Sequence, residues 1–202
     1  MGNSIVLASN NAGKAREIAE LLGTEIAQLR AQSAYGVPEA EETGTTFVEN
    51  AIIKARNACH HTGLPAIADD SGIEVDALGG APGVRSARFA GEQGDDAANN
   101  RLLVERLSGV PAGERSARYY CVMVYMAHAA DPTPVIAEGS WEGWIQDEPR
   151  GDNGFGYDPH FLVDGQQLTA AELDPATKNR ISHRGQAMRR LAAAFTIDPE
   201  GR

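Results

Sequence analysis

The sequence has 202 residues, 42% of them apolar, and its 28 acidic residues outnumber its 18 basic residues to give a formal net charge of −10. The apolar content suffices for a hydrophobic core, and the negative charge argues against a protein that binds nucleic acid by neutralising many phosphates. No apolar run approaches the roughly 18 residues that a membrane helix needs, and residues 1–8 lack the pattern of a signal peptide. We therefore expect a soluble, cytoplasmic protein that binds neither nucleic acid nor membrane.

The hydrophobic periodicity predicts an alternation of strands and helices, followed by a group of strands. The predicted elements, in chain order, are a strand at 4–8, helices at 14–22 and 45–61, a strand at 66–68, a helix at 95–107, strands at 119–126 and 135–145, and a helix at 183–195. This order is typical of an α/β fold with a mixed β-sheet flanked by helices. We treat residues 1–202 as a single domain whose two lobes enclose a cleft, with residues 196–202 as a frayed tail.

A polar segment, Ser9-Asn10-Asn11-Ala12-Gly13-Lys14, connects the first predicted strand to the first predicted helix. The N-terminus of a helix offers free N–H groups and the positive end of a dipole to an anion. The segment is not a Walker loop, because Ala8 and Ala15 stand where that motif needs a glycine and a serine or threonine. Two interpretations stay open, a phosphate-binding loop or a polar turn that caps the helix.

An acidic stretch that ends at Glu42 precedes the second predicted helix. On that helix Asn50 and Lys54 lie one turn apart and share a face. An acidic loop is more often a solvated surface than a set of ligands, and a lysine on a helix is usually solvated as well. Neither residue type alone indicates a site here.

Two adjacent carboxylates, Asp69 and Asp70, follow the buried strand predicted at 66–68. The carboxyl end of a strand is where α/β sheets commonly place ligands, and strand alternation points the two side chains to opposite sides. Mg²⁺ bound to substrate phosphates needs only one or two protein carboxylates. We therefore favour a functional site over the alternative, an Asx-turn that closes the strand.

Two segments in the last third of the chain are ambiguous by themselves. Gly154-Phe155-Gly156-Tyr157-Asp158-Pro159 combines glycines, which let a backbone approach a flat ligand, with aromatic rings that can stack on it, but such a turn can also be purely structural. Further on, Ser182 can cap the last helix, which places His183 and Arg184 in its first turn. Cations there oppose the helix dipole, which indicates an anionic or carbonyl-bearing partner unless the side chains are simply exposed to solvent.

Taken in order, these segments resemble the family of inosine triphosphate pyrophosphatases, also called dITP/XTP pyrophosphatases, over about residues 4–195. The matching segments are residues 9–14, 41–44, Phe47 with 49–51, Lys54-Ala55, 68–72, Pro82-Gly83, 86–88, 154–159 and 182–185. The resemblance implies an elongated mixed sheet, two lobes with an active-site cleft between them, and a homodimer. It also implies Mg²⁺-dependent hydrolysis of dITP, ITP and XTP to the nucleoside monophosphate and pyrophosphate.

The resemblance also implies a role for each matching position. The expected triphosphate contacts are Ser9, Asn10, Asn11, Ala12, Gly13 and Lys14. Lys54 helps to offset the substrate's charge, Glu42 and Asp70 hold Mg²⁺, and Ser71 contacts the substrate. Asp70 is in addition the general base for the attacking water, with Asp69 as its supporter.

Base recognition is the remaining role that the resemblance implies. The expected residues are Phe155, Gly156, Tyr157, Asp158, Lys178, His183 and Arg184. Phe155 would stack on the purine, and the hydrogen-bond donors would contact its 6-oxo group. Donors that face a keto oxygen are left unpaired against adenine, whose 6-amino group also donates, so such a site discriminates strongly.

Two other functions fit parts of the sequence. A nucleotide sensor would use the same glycine-rich and basic segments without catalysis, although a pure binder of triphosphate gains little from Glu42 and Asp70. A pyrophosphatase for modified pyrimidine nucleotides, as in the distantly similar Maf-type proteins, is the second alternative. The Ser-His-Arg-Gly sequence at 182–185 is absent from the Maf motif set.

Overall fold

The structure is a computed structural model that describes residues 4–22 and 29–196. The strands and helices are β1 (Ile5–Leu7), α1 (Ala12–Leu22), β2 (Leu29–Ala31), α2 (Phe47–Thr62), β3 (Ala66–Val75), α3 (Asp96–Arg106), β4 (Ser116–Met126), β5 (Val135–Ile145), β6 (Phe161–Val163), α4 (Pro175–Ile181) and α5 (His183–Thr196). Short 3-10 helices occur at Gln32–Tyr35, Asp76–Leu78, Gly83–Arg88 and Ala112–Glu114. Residues 197–202 of the predicted tail lie outside the described residues.

The six strands form one sheet in the order β2-β1-β3-β4-β5-β6. β1 pairs in parallel with β2 and β3, whereas β5 pairs with β6 in antiparallel fashion, with Trp144 opposite Leu162. The sheet is therefore mixed, and the predicted α/β fold class is confirmed. Within the described ranges, no helix is both long and apolar enough to cross a bilayer.

The residues divide into two compact units. Unit 1 comprises the residues up to 70, 121–139 and those from 184 onward, and unit 2 comprises 71–120 and 140–183. The core of unit 1 includes Leu7, Ile18, Ile67, Met123, Met188 and Leu191. The core of unit 2 includes Ile73, Leu103, Tyr119, Trp141, Phe161 and Leu173. Each unit thus buries helix and strand residues together, as amphipathic elements require.

Helix α2 shows how local sequence sets the ends of an element that carries site residues. Thr46 accepts a hydrogen bond from the backbone N–H of Glu49, and the Glu49 carboxylate accepts from the backbone N–H of Thr46, which is a capping box. Gly63 ends the helix in the left-handed conformation at φ 67°. The ends lie within two residues of those predicted, so Asn50 and Lys54 fall on one face as expected.

Strand β3 is longer than predicted, and this corrects the placement of the two aspartates. The strand continues through Asp69, Asp70 and Ser71 to Val75, so the pair lies inside a strand rather than after its end or in an Asx-turn. Aspartate, serine and glycine have low strand propensity, which made the sequence pattern stop at 68. Tertiary packing overrides that propensity here, because charged partners from the helices balance the buried carboxylates.

Candidate active site

The N-terminus of α1 is held by its own polar loop. The Asn11 Oδ1 atom accepts a hydrogen bond from the Lys14 backbone N–H at 2.9 Å, and the Ser9 hydroxyl accepts from the Asn11 N–H at 3.3 Å. Asn10 accepts a 2.7 Å hydrogen bond from the side-chain amide of Gln32, which is buried. The structure therefore confirms the capping interpretation of Asn11, and Ala12 and Gly13 form the first turn of the helix. A capped N-terminus still presents N–H groups to an anion.

Asp69 lies at the centre of a buried ionic cluster in unit 1. Its Oδ2 atom is 3.3 Å from the Lys14 ammonium and 3.3 Å from the guanidinium of Arg184, which also binds the carboxylate of Glu17. Asp69 and Arg184 are each 1% exposed. Burial alone would raise the pKa of Asp69, but the positive charges of Lys14, Arg184 and Lys54 outweigh it and hold that pKa well below its usual range.

Asp70 has a different set of partners, which come from α2 and the loop before it. The Lys54 ammonium lies 2.7 Å from Asp70 Oδ1 and 3.0 Å from Glu42 Oε1, so one cation joins the two carboxylates. The Asn50 side-chain amide donates to Asp70 Oδ2 at 3.4 Å. Burial raises the pKa of Asp70, and the Lys54 charge offsets this only in part. Two neighbouring carboxylates are thus placed in opposite electrostatic environments.

Gly44 fixes the loop that carries Glu42. Its backbone N–H donates to Asn50 Oδ1 at 2.9 Å, the same side chain that contacts Asp70. A β-carbon at position 44 would lie 2.6 Å from the Glu49 β-carbon and 2.7 Å from Asn50 Oδ1, both too close. Only glycine therefore lets the loop approach α2 closely enough to bring Glu42 to Lys54.

The two carboxylates that contact Lys54, those of Glu42 and Asp70, fit a hard divalent cation. A positively charged ammonium already lies within contact distance of both Glu42 and Asp70, so two carboxylates converge on one cationic position. Among the residues that the structure describes, no group of three or more His, Cys, Asp or Glu side chains converges in this way. Two carboxylates suit Mg²⁺, which takes oxygen ligands and completes its shell with water and substrate phosphates, better than they suit zinc.

In unit 2, Asp158 organises the glycine-aromatic loop. Its Oδ2 atom accepts a 2.9 Å hydrogen bond from the Phe155 N–H and contacts the Lys178 ammonium at 2.6 Å. That ammonium also lies 5.1 Å from the centre of the Phe155 ring. Asp158 and Lys178 are both buried, whereas Phe155 is partly exposed. The structure therefore joins three of the residues that were predicted to recognise a base.

Tyr157, in the same loop, is held by its hydroxyl. The phenol is buried and donates to the Ser86 carbonyl at 2.8 Å, and burial raises its pKa. The Ser86 hydroxyl in turn accepts from the Ile73 N–H at 2.9 Å and donates to the Gly83 carbonyl. Tyr157 thus anchors the loop to β3 through the 3-10 helix at 83–88.

His183 and Arg184 are adjacent in sequence, but their surroundings differ. The His183 ring stacks on Tyr119 with ring centres 4.7 Å apart and planes at 7°, and it lies 6.4 Å from Trp141. Arg184 belongs to the Asp69 cluster of unit 1. Both side chains are buried, so the solvent-exposed alternative is wrong. The carboxylates of Asp69 and Glu17 balance the positive charge of Arg184 at the start of α5. They are the anionic partners that offset its unfavourable interaction with the helix dipole.

Comparison with known proteins shows which family this chain belongs to. The model of the Ham1 family matches residues 5–194. The chain belongs to the Ham1 family. It is 64% identical over 187 residues to a dITP/XTP pyrophosphatase of Thioalkalivibrio sulfidiphilus, covering 93% of this chain and 95% of the relative. It is 60% identical over 193 residues to a dITP/XTP pyrophosphatase of Methylococcus capsulatus, covering 96% of each.

Solved structures of Ham1 proteins share the fold. The chain matches a HAM1 protein from Coxiella burnetii with a TM-score of 0.87 and 52% identity, over 96% of this chain and 98% of that one. It matches the Staphylococcus aureus Ham1 protein with a TM-score of 0.84 and 37% identity, over 97% and 100%. The predicted resemblance and the predicted mixed sheet are therefore both confirmed.

Within this Ham1 fold the predicted site residues fall into two groups. The group in unit 1 comprises Ser9, Asn10, Asn11, Ala12, Gly13, Lys14, Glu42, Lys54, Asp69, Asp70 and Arg184, and the group in unit 2 comprises Ser71, Phe155, Gly156, Tyr157, Asp158, Lys178 and His183. Arg184 is the residue whose placement differs most from its predicted role. We predicted that it would bind the base, whereas its guanidinium lies against the carboxylates of Asp69 and Glu17.

Several residues with a part in this Ham1 site escaped the sequence-based prediction. They are Glu17, Gln32, Ser86, Asp96, Asn100 and Tyr119. Glu17 lies one turn after Lys14 on α1, a spacing that the sequence does contain. The other contacts join distant parts of the chain, and no local signal identifies them.

Proposed function

We propose that this chain hydrolyses dITP, ITP and XTP to the nucleoside monophosphate and pyrophosphate. Its relatives in Thioalkalivibrio sulfidiphilus and Methylococcus capsulatus are named dITP/XTP pyrophosphatases, and they match nearly the whole chain. The observation that carries the proposal is the convergence of Glu42, Lys54 and Asp70 beside the capped start of α1. A protein that only binds triphosphate would not need the buried carboxylate of Asp70 and the partly exposed carboxylate of Glu42 at that place, since they repel the substrate.

In the proposed reaction, the N-terminus of α1 and the ionic clusters around Asp69 and Asp70 have different roles. The N–H groups at the start of α1 and the ammonium groups of Lys14 and Lys54 bind the triphosphate. Asp70 accepts a proton from a water molecule whose oxygen forms a bond to the α-phosphorus, and the bond from that phosphorus to the pyrophosphate oxygen breaks. Lys54 lies within reach to offset the charge of the leaving pyrophosphate. Asp69 holds Lys14 and keeps its ammonium in place.

We propose Mg²⁺ as the cofactor, held by Glu42 and Asp70. When bound, Mg²⁺ supplies neutralisation of the phosphate oxygens and so favours attack by water. In this structure the Lys54 ammonium lies between the two carboxylates, and triphosphate oxygens offer it an alternative partner. Lys54 can therefore move from the carboxylates to the substrate without losing an ionic contact.

We propose that the loop at 154–159 selects the base. Phe155 is partly exposed and would stack on a purine, while the Lys178 ammonium, buried beside Asp158 and 5.1 Å from the centre of the Phe155 ring, would supply N–H donors to the base. A donor that faces the 6-oxo group of hypoxanthine or xanthine would face the 6-amino group of adenine, which also donates. Discrimination against dATP by a factor of about 10⁴ is within reach of such a site.

Pyrophosphate release from dITP, XTP, ITP, dATP and dGTP, with and without Mg²⁺, tests the proposal directly. We expect rapid release from the first three only, and only with the metal present. The Asp70→Asn variant keeps the shape of the side chain and should lose at least about a hundredfold in kcat. Equal rates on all five nucleotides would contradict the specificity. Tight binding of dITP without turnover would instead favour a nucleotide sensor.

We further propose that the protein is a cytoplasmic homodimer, on the strength of the family resemblance. Sedimentation equilibrium of the purified protein should give twice the mass of one chain. A mass that stays at one chain over the whole accessible concentration range would contradict the dimer.

A further inference from the structure

One ammonium joins the two carboxylates to which we assign Mg²⁺. The Lys54 Nζ atom lies 2.7 Å from Asp70 Oδ1 and 3.0 Å from Glu42 Oε1, both within the range of N–H···O hydrogen bonds. The Lys54 side chain is 15% exposed and that of Asp70 is 8% exposed, so little water surrounds their contact. Each carboxylate thus directs one oxygen to the same position, and the protein itself supplies the cation there.

The two carboxylates are also held by groups other than Lys54. The Asn50 side-chain amide donates to the second oxygen of Asp70 at 3.4 Å, and Asp70 itself lies inside strand β3. The Asn50 Oδ1 atom accepts from the Gly44 N–H at 2.9 Å, which fixes the loop that carries Glu42. The placement of the pair therefore does not depend on the ammonium, and a cation of another kind can take the same position.

From these contacts we infer that Lys54 competes with Mg²⁺ for Glu42 and Asp70. Two cations that share the same pair of oxygens repel each other strongly where little water screens them. Lys54 thus keeps the affinity for free Mg²⁺ low until a triphosphate draws its ammonium away. The metal then enters with the substrate rather than before it. This inference rests on the proposed function, because it takes Glu42 and Asp70 as the metal ligands.

Four variants separate competition at the carboxylates from a general effect of positive charge. Lys54→Met has nearly the length of lysine without its charge, and Lys54→Gln is shorter but keeps N–H donors. Lys54→Arg retains the charge and is the conservative variant. Lys14→Met is the matched control, because it also removes one ammonium from unit 1, but that ammonium contacts Asp69, at 3.3 Å.

The readout is the dissociation constant of Mg²⁺ for the protein without nucleotide, measured by isothermal titration calorimetry. A competitor that occupies a site for roughly 90–99% of the time weakens binding there about 10- to 100-fold. We therefore expect Lys54→Met and Lys54→Gln to bind Mg²⁺ about 10 to 100 times more tightly than the wild-type protein. Lys54→Arg should bind it no more tightly than the wild-type protein, and Lys14→Met should stay within about threefold. Equal affinity of Lys54→Met and the wild-type protein, or equal gains in Lys54→Met and Lys14→Met, overturns the inference.

A double variant, Asp70→Asn with Lys54→Met, shows where the gained metal binds. Loss of the gain supports competition at Asp70, whereas an unchanged gain overturns it. Circular dichroism checks the fold of each variant with and without Mg²⁺. If Lys54→Met and Lys54→Gln fold only when Mg²⁺ is added, the metal replaces the missing ammonium and the inference is supported. If neither variant folds even with Mg²⁺, the inference is overturned.

Pyrophosphate release from dITP by the wild-type protein distinguishes failure of the inference from failure of the proposed function. If release requires Mg²⁺ but Lys54→Met binds the metal no more tightly than the wild-type protein, the proposed function stands and the inference is wrong. If the wild-type protein releases pyrophosphate equally fast without Mg²⁺, or releases none, the proposed function is wrong. Tighter binding of Mg²⁺ by Lys54→Met would still support competition at the two carboxylates in that case.

Discussion

Asp69 and Asp70 are chemically identical neighbours, and their different partners give them different roles. In a strand, successive side chains point to opposite faces, so Asp69 contacts α1 and α5 while Asp70 contacts α2. Asp69 is fully enclosed with Lys14 and Arg184, which suits a structural countercharge. Asp70 shares one ammonium with Glu42 and has its pKa raised by burial. The sequence predicts the opposite orientation of the two side chains, but not which helix each one contacts.

Removing the Asp69 charge should destabilise the protein strongly. In Asp69→Asn the buried guanidinium of Arg184 loses one of its two carboxylate contacts described above and keeps that with Glu17, and Lys14 loses the ion pair seen here. We expect a loss of about 3 kcal/mol in the free energy of unfolding, measured by urea denaturation. Glu41→Gln, which removes the same charge from an exposed position, is the control and should change stability by less than about 0.5 kcal/mol. Equal stability of the two variants would contradict this account of the cluster.

At the scale of elements, the long periodic segments were predicted well, whereas three short elements were missed. Helices α2 and α3 were placed within two residues of their observed ends, and the ends of β5 agree with the prediction. The missed elements are β2, β6 and α4, which have three, three and seven residues. Segments this short do not complete enough periods to give a pattern, so their structure depends on contacts with neighbouring elements; β1 is equally short but was predicted because its three residues are all apolar.

The turn between β4 and β5 depends on one carboxylate and should respond to pH. The two oxygens of Asp131 accept hydrogen bonds from the backbone N–H groups of Ala127 and Thr133, both at 2.9 Å. These bonds hold the pKa of Asp131 below its ordinary value of 3.8. The carboxylate therefore adds stability that is fully present above the unfolded-state pKa and is lost as the pH falls through the lower, folded-state pKa.

Asp131→Asn should lower the free energy of unfolding by about 1 kcal/mol at pH 7, because the amide cannot accept both hydrogen bonds. The difference from the wild-type protein should hold above about pH 5 and shrink as the pH falls below 3.8. Urea unfolding at pH 7, 5 and 3 measures this. Asp164→Asn, a change in an exposed turn, is the control. A difference that grows on acidification would show that the sign is wrong.

At the scale of the whole molecule, the net charge of −10 contrasts with the anionic substrate that we propose. The cations that would contact this substrate are local. Lys14 lies at the start of α1, Lys54 lies on α2, and the Lys178 ammonium lies 5.1 Å from the centre of the Phe155 ring. At physiological salt, interactions beyond a Debye length of about 8 Å are largely screened. We therefore expect the local cations to decide binding of the proposed substrate, and the overall charge not to prevent it.

Ligand binding should be visible in the stability of the whole chain. Inosine monophosphate at about 100 times its dissociation constant should raise the free energy of unfolding by about 2.7 kcal/mol. For a chain of this length that corresponds to a rise of about 5–10 °C in melting temperature. Adenosine monophosphate at the same concentration should give little or no rise. Thermal unfolding followed by circular dichroism measures both. Equal shifts with the two nucleotides would argue against selection by the 6-oxo group.

By itself the sequence determined the fold class and the long helices and strands, and its family resemblance named most of the residues to which we assign the proposed chemistry. Apolar periodicity and capping residues act over a few positions, so they can be recognised locally. Only the tertiary structure decided which charges meet, because such contacts depend on packing between distant segments. Glu17 and Arg184 are 167 positions apart, yet they share one buried ion pair. The extension of β3 through Asp69 and Asp70 has the same origin, since cations from three helices balance carboxylates that the local sequence would place in a turn.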